Sequence, residues 1–281
     1  SLSPYGGRWE RERPRAFWKA PLSSSSSPLS VAVTRLRQAG CVFAEEEAEL
    51  IASAAHTRRE FSRLVDLRAG GVPLEHILGW ARFRGLRLVV EPGVFVPRPR
   101  TEFLAERALA LTRPGAVVVD LCCGTGALGA VLASEGEGVE LHAADIDAAS
   151  VRCARRNIAP FGGRVYQGDL FSPLPGSLYG RVDVLVANVP YVPTDEIALL
   201  PAEAREHESR VALDGGGDGL DVVRRVAAQA RGWLAPGGRL LVETHPGQVA
   251  AAMRAFVRGG LSADSVVCEE TGTWVVVGRR G

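Results

Sequence analysis

Lysine is almost missing from this chain: Lys19 stands alone among 33 basic residues. The five cysteines, Cys41, Cys122, Cys123, Cys153 and Cys268, form no Cys-x-x-Cys pair, and their number is odd. Neither a disulfide framework nor a zinc site is expected from that spacing, and the reduced thiols of a cytoplasmic protein fit it. The five histidines make no His-x-x-x-His pair, so no metal is expected. Net charge is close to absent: +1 over 281 residues gives no global electrostatic attraction for nucleic acid. No apolar run approaches the ~18 residues of a membrane span. What is present is an ordinary globular balance, 46% hydrophobic and 23% charged. The length allows one large domain and a small one.

Residues 1–28 combine prolines, a charged run from Arg8 to Arg15 and five consecutive serines ending at Ser27, a composition expected to stay disordered. Arginine and serine enrichment points toward a transit peptide, but Glu10, Glu12 and the prolines count against an amphipathic presequence. Across 29–80 the spacing of Val31, Leu36, Ile51, Phe61, Leu64 and Val65 predicts a small helical domain of about three short helices. Glu45, Glu46 and Glu47 suit the first turn of one of them, where the helix dipole favours negative charge. Residues 81–99 read as a β-hairpin connector with its turn at Glu91-Pro92-Gly93.

From 100 to 281 strand and helix patterns alternate. Strands are expected at 116–121, 139–144, 165–167, 182–187 and 239–243, with helices between and after them. That order predicts an α/β, Rossmann-like, doubly wound and mostly parallel sheet. Two final strand patterns, 265–269 and 273–278, add an antiparallel terminal hairpin, for seven strands in all.

Gly124-Thr125-Gly126-Ala127-Leu128-Gly129 is a G-x-G-x-x-G stretch between a strand and a helix, which alone also fits a dinucleotide. Asp120, at the end of Val117-Val118-Val119, separates the readings. A pyrophosphate wants the positive helix terminus without a carboxylate beside it. S-adenosylmethionine carries a sulfonium and an ammonium and no phosphate, so an acid helps. The loop Asp120, Cys122, Cys123, Gly124, Thr125 and Gly126 is therefore the candidate cofactor cradle, its cysteines serving as small packing residues. Asp145, at the end of the next strand, can accept from both ribose hydroxyls, and Asp147 competes for that role. Asp169 can take the adenine amino proton, with Ile146 and Leu170 covering the ring. Three acids after three successive strands set this apart from scattered loop acids.

The fourth strand runs into Asn188-Val189-Pro190-Tyr191. The Asn188 side-chain oxygen and the Val189 carbonyl can each accept one N–H of an NH₂ acceptor. Pro190 fixes the backbone, and Tyr191 offers a flat face. An amide nitrogen is a poor nucleophile, so holding both hydrogens and aiming its lone pair would supply much of the rate. The bland alternative is an Asn-x-Pro turn after a strand.

With these residues the chain resembles the HemK/PrmC family, the protein-(glutamine-N5) methyltransferases that modify the Gly-Gly-Gln motif of peptide-chain release factors. The resemblance spans roughly 29–280. It takes in Phe95-Val96-Pro97-Arg98-Pro99-Arg100-Thr101-Glu102, the loop from Asp120 to Gly126, Asp145, Asp169 and the Asn188 tetrapeptide. It continues through Ala212-Leu213-Asp214-Gly215-Gly216, Asp218-Gly219-Leu220-Asp221, Pro236-Gly237-Gly238 and the stretch from Glu243 to Gln248. It implies a class I S-adenosylmethionine-dependent methyltransferase that leaves S-adenosylhomocysteine as product. It also implies a protein glutamine as acceptor, the tetrapeptide and Arg98 as acceptor-binding residues, and a helical N-terminal domain that docks the protein substrate. The family tetrapeptide is Asn-Pro-Pro-Tyr; here Val189 stands second and keeps the carbonyl. Glu208-Ser209 stands where the family has Glu-Pro.

Two other readings share these residues. Adenine-N6 methylation of nucleic acid could use the same tetrapeptide, with Tyr191 stacked on a flipped base; the near-zero charge opposes it. A cofactor-binding protein without activity is opposed by the intact Asn188 and cofactor acids.

Overall fold

In a computed structural model of the protein, residues 27–281 are described. The expected disorder of 1–28 lies outside the described residues up to position 26. Ser27 and Pro28, by contrast, begin a helix: the Ser27 hydroxyl oxygen accepts the Ser30 N–H, and Pro28 takes the first helical position.

The described chain divides into two compact units, with the boundary after Leu78. The first holds α1 (Pro28–Gln38), α2 (Ala44–Ala54), α3 (Arg58–Ala69) and the short α4 (Leu74–Leu78), one helix more than the periodicity predicts. Leu36, Ile51, Phe61 and Leu64 meet in its core. Glu47, in the first turn of α2, is buried and accepts from the Arg68 guanidinium of α3 at 2.6 and 3.2 Å.

The second unit opens with β1 (Trp80–Phe83) and β2 (Leu86–Val89), an antiparallel hairpin. Its turn falls at Arg84-Gly85, not at Glu91-Pro92-Gly93. Both turn residues have positive φ, 43° and 78°, the twist that a two-residue hairpin loop demands. The hairpin is also more than a connector. Phe83 and Leu88 are buried in one core with Leu104, Val118 and Leu132.

Next come α5 (Glu102–Leu109), β3 (Val117–Leu121), α6 (Ala127–Glu135), β4 (Glu140–Asp145), α7 (Ala148–Ile158), β5 (Arg164–Gln167) and β6 (Val182–Ala187). They are followed by α8 (Ala202–His207), α9 (Asp221–Trp233), β7 (Leu234–Thr244), α10 (Val249–Arg258), β8 (Ser262–Cys268) and β9 (Thr273–Arg279). The seven-stranded sheet has the order β5-β4-β3-β6-β7-β9-β8. β3 to β7 run parallel, and β9 enters antiparallel between β7 and β8. This is the expected mostly parallel sheet with its terminal hairpin.

Central strands buried on both faces read as near-continuous β-branched runs, and every residue of β3 is buried. The pleat sends Val117, Val119 and Leu121 into the core under α9 and α10, and Val118 into the core beside α5 and α6. α9 packs through Val223, Val226, Ala227 and Ala230, an i, i+3, i+4, i+7 stripe.

Candidate active site

Chain order reverses between β3 and β6. β4 and β5 extend the sheet on one side of β3, and β6 begins the other side. Ligands of open α/β sheets sit at the carboxyl ends of strands at such a switch point. Leu121 and Ala187 are register partners there, so the loops that follow them leave side by side. Both loops line a cavity of about 870 Å³, the size range of small-molecule sites, ~300–1,000 Å³.

The glycine-rich side is a tight, left-handed turn. Cys122, Gly124 and Gly126 have φ of 53°, 53° and 77°, and the Gly126 N–H donates to the Cys123 carbonyl at 2.7 Å. A Cβ on Gly126 would lie 2.8 Å from Ile158 Cδ1 and 3.1 Å from Ala154, so only glycine lets α7 approach this closely. Asn157 of α7 donates to the Thr125 carbonyl at 2.9 Å and pairs with the Val89 backbone, tying the loop to the hairpin. Cys122 and Cys123 line the cavity, and burial pushes both thiols up, which keeps them protonated.

The acids take distinct positions. Asp145 lines the cavity and accepts N–H bonds from Gly124 at 2.8 Å and Asp147 at 2.9 Å. Burial raises its pKa, and those two bonds pull the other way. Asp147 caps α7 by accepting from the Ser150 N–H at 2.8 Å, which commits one of its oxygens. Asp169 lines the cavity but is paired with Arg225 of α9. Ile146 lies half exposed at the cavity, and Leu170 is buried beside it with φ of 50°.

Asp120 is not on the cavity wall. It is fully buried behind the loop, where Oδ2 accepts the Gly129 N–H of α6 at 2.9 Å. The pleat explains this: Asp120 shares the face of Val118, toward α6. Burial chiefly, with the Asp145 charge adding, raises its pKa to about 7 against the pull of the Gly129 N–H.

On the β6 side, the Asn188 Oδ1 is buried with no hydrogen-bond partner, while Val189 and Pro190 are buried in the same cavity wall. Buried polar atoms are nearly always paired, so an unpaired acceptor on a residue that lines a cavity fits a donor brought there. The chain around it is heavily braced. Val192 exchanges backbone bonds with Leu213 and Gly215 at 3.1 and 2.8 Å. Thr194 Oγ1 donates to Asp214 at 2.7 Å. Gln248 Nε2 donates to the carbonyls of Tyr191 and Asp218. The Ala212–Gly216 motif therefore braces the segment that follows the tetrapeptide, and Gln248 links Tyr191 to the Asp218–Asp221 motif. Arg98 also borders the cavity, but its Nη2 is held by both oxygens of Glu208, at 2.6 and 2.7 Å. Glu208 further accepts the Val96 N–H at 3.1 Å.

A family model described as the methyltransferase small domain matches residues 85–219. A release factor glutamine methyltransferase from Geobacter sulfurreducens is 38% identical over 219 residues, covering 77% of this chain and 76% of that protein. One from Mycolicibacterium smegmatis is 42% identical over 206 residues, 73% of each. The chain belongs to the release factor glutamine methyltransferase family. The fold agrees with that assignment. A crystal structure of a methyltransferase from Pyrococcus furiosus superposes with a TM-score of 0.54 at 18% identity, over 70% of this chain and 90% of that one.

Four side chains that the sequence patterns do not mark as sites tie the cavity's loops to distant parts of the chain: Asn157, Arg225, Gln248 and Arg100. Each acts through a bond to a distant part of the chain, and only Gln248 and Arg100 lie in stretches the motifs had marked. Among the described residues no helix is long and apolar enough to cross a membrane, and no cluster of three or more His, Cys, Asp or Glu could hold a metal.

Proposed function

We propose that this protein transfers a methyl group from S-adenosylmethionine to the side-chain amide nitrogen of a protein glutamine, in a peptide-chain release factor. The observation that carries this reading is Asn188, which lines a cavity shared with the glycine-rich loop and whose Oδ1 is buried without a partner. A primary amide is a protein group that brings two N–H donors, one for such an acceptor and one for a neighbouring carbonyl, on a nitrogen that can be alkylated.

The residues fit the cofactor. Asp145 retains acceptor capacity for a ribose diol after its two backbone bonds, since a carboxylate has about four lone-pair sites. Cys122, Cys123, Gly124 and Thr125 line the cavity, Gly126 packs against α7 instead of the cavity, and Ile146 and Leu170 border the place for a flat base. Asp169 serves the base amino group in competition with Arg225. When bound, S-adenosylmethionine supplies an electrophilic methyl carbon on a sulfonium. The chain then has two tasks. Asn188 accepts one N–H of the acceptor amide, and the Val189 carbonyl accepts the other, which turns the nitrogen lone pair toward the methyl. Methyl transfer there would join the amide nitrogen to that carbon, leave the S–C bonding electrons on the cofactor sulfur and release the amide proton to solvent water. The cysteine thiols, held protonated, do not compete as nucleophiles.

The test is methyl transfer from labelled S-adenosylmethionine to a native release factor and to the same factor with its Gly-Gly-Gln glutamine replaced. Label on the native factor alone, with one methyl group on the glutamine by mass spectrometry, is the expected result. Equal labelling of both factors, or labelling only of oligonucleotides or small amines, overturns it.

A further inference from the structure

Arg100 occupies a place that no part of the methyl-transfer reading requires. It sits in the 3₁₀ turn Pro99–Thr101, between Arg98 and α5. Its Nη2 donates to the Tyr191 hydroxyl, its Nε donates to Glu243 Oε1 at 3.3 Å, and its guanidinium carbon lies 5.9 Å from the Tyr191 ring centroid. Glu243, on β7, is 4% exposed on its side chain; Arg100 is 51% exposed. The arginine therefore joins a buried carboxylate of the sheet to the outer end of the tetrapeptide's aromatic ring.

We infer that Arg100 is a positioning residue for the acceptor slot: by linking the Tyr191 phenol to Glu243 it fixes the ring that forms one wall of the slot next to Asn188. This rests on the proposed function. Two anchors then hold Tyr191 from opposite ends. Gln248 holds its backbone carbonyl at 2.9 Å, and Arg100 holds its hydroxyl. A guanidinium suits the task because its rigid fork offers two N–H groups to two different acceptors; a lysine ammonium is a point charge on a flexible stem. Burial raises the Tyr191 pKa and the nearby Arg100 charge opposes it, so the phenol stays protonated and free to accept from Arg100 while donating elsewhere.

Two variants separate this role from a structural one. Glu243 is buried, so losing Arg100 leaves its carboxylate without that partner and lowers stability as well. A slightly misplaced wall, however, can cost about a hundredfold in rate. Tyr191→Phe leaves the Arg100–Glu243 pair in place, so it reads the loss of the link to the ring apart from the loss of the pair.

The experiment is a double-mutant cycle on Arg100→Ala and Tyr191→Phe in the full chain, with Arg100→Lys as a third variant. Turnover is measured on the release factor, cofactor affinity by calorimetry and stability by thermal melting. Arg100→Ala and Tyr191→Phe should each lower kcat by about ten- to a hundredfold. Their combination should be no worse than the worse single change, because both cut the same link. Arg100→Lys should recover only part of the loss; cofactor affinity should stay near wild type in every variant, and melting temperature should stay near wild type in Tyr191→Phe but fall in Arg100→Ala. Multiplicative losses, or full activity in Arg100→Ala, overturn the inference. Wild-type protein that labels another acceptor and no glutamine overturns the glutamine reading instead, and the cycle is then read on that acceptor with the same criteria.

Discussion

Gln248 reaches 57 positions back along the chain to donate its side-chain amide to the Tyr191 carbonyl at 2.9 Å, and the same nitrogen donates to the Asp218 carbonyl at 3.0 Å. Gly219 lies against both partners: its φ is 74°, and an added Cβ would collide with the Tyr191 carbonyl oxygen and with Gln248 Nε2. Gln248→Ala should remove two hydrogen bonds worth ~0.5–1.5 kcal/mol each. Gly219→Ala should cost at least as much, because a left-handed conformation and a backbone collision coincide. Denaturant unfolding of both variants, beside turnover, measures this. Wild-type stability in both would show that the clamp on Tyr191 is slack.

Asp120 should make the folded protein sensitive to pH. Its pKa is raised from an ordinary 3.8 to about 7, mainly by burial. Between about pH 4 and 7 the folded protein therefore keeps a proton that the unfolded chain has released. The resulting stability is greatest below that window, falls as pH rises through it, and is fully lost above about pH 7. Asp120→Asn stays neutral throughout and keeps an oxygen for the Gly129 N–H. Its melting temperature relative to wild type should climb from pH 4 to pH 8. A difference that is flat across that range would show that Asp120 ionises in the folded protein as readily as in the unfolded chain.

Much of the architecture was legible in the sequence, because the central strands are buried on both faces and advertise it. Val182–Ala187 and Ala148–Ile158 stand where their patterns put them. The hairpin turn was misjudged because Arg84, an arginine at positive φ, carries no turn signal, whereas Glu91-Pro92-Gly93 does. β7 starts at Leu234 rather than 239, with Pro236, Gly237 and Gly238 inside it and a register shift opposite Val182 and Val184. Those residues read as a break. At the site, residue identities were readable and their orientations were not. Strand phase decides that Asp120 turns away from the cavity, and the Arg98–Glu208 pair spans 110 residues. No local pattern encodes a partner at that distance.

Asp145 should govern cofactor affinity. Asp145→Ala removes the acceptor proposed for the ribose and also frees the Gly124 and Asp147 N–H groups that shape the loop. Hydrogen bonds to a charged group contribute ~1.5–3 kcal/mol, so affinity for S-adenosylmethionine by calorimetry should fall at least about tenfold, ~1.4 kcal/mol. Asp147→Ala should instead lower stability by about 1 kcal/mol through loss of the α7 cap. If the two outcomes are exchanged, the cofactor acid is Asp147.

Asn188 offers the sharpest separation between a chemical and a structural role. Its Oδ1 is buried and unpartnered, so removing it breaks no bond that the described fold makes to that atom. Losing an unsatisfied buried acceptor relieves desolvation rather than adding to it. Asn188→Ala should therefore melt within a few degrees of wild type or slightly above it. Turnover on the release factor should nevertheless fall by ~10²–10³, the usual effect of deleting one well-placed transition-state hydrogen bond. Cofactor affinity should change much less, because the glycine-rich loop and Asp145 remain. Calorimetry, melting and single-turnover methyl transfer on one preparation give all three values. A structural turn would show the reverse pattern, with stability lost and the remaining folded fraction fully active, and that result would remove Asn188 from the mechanism.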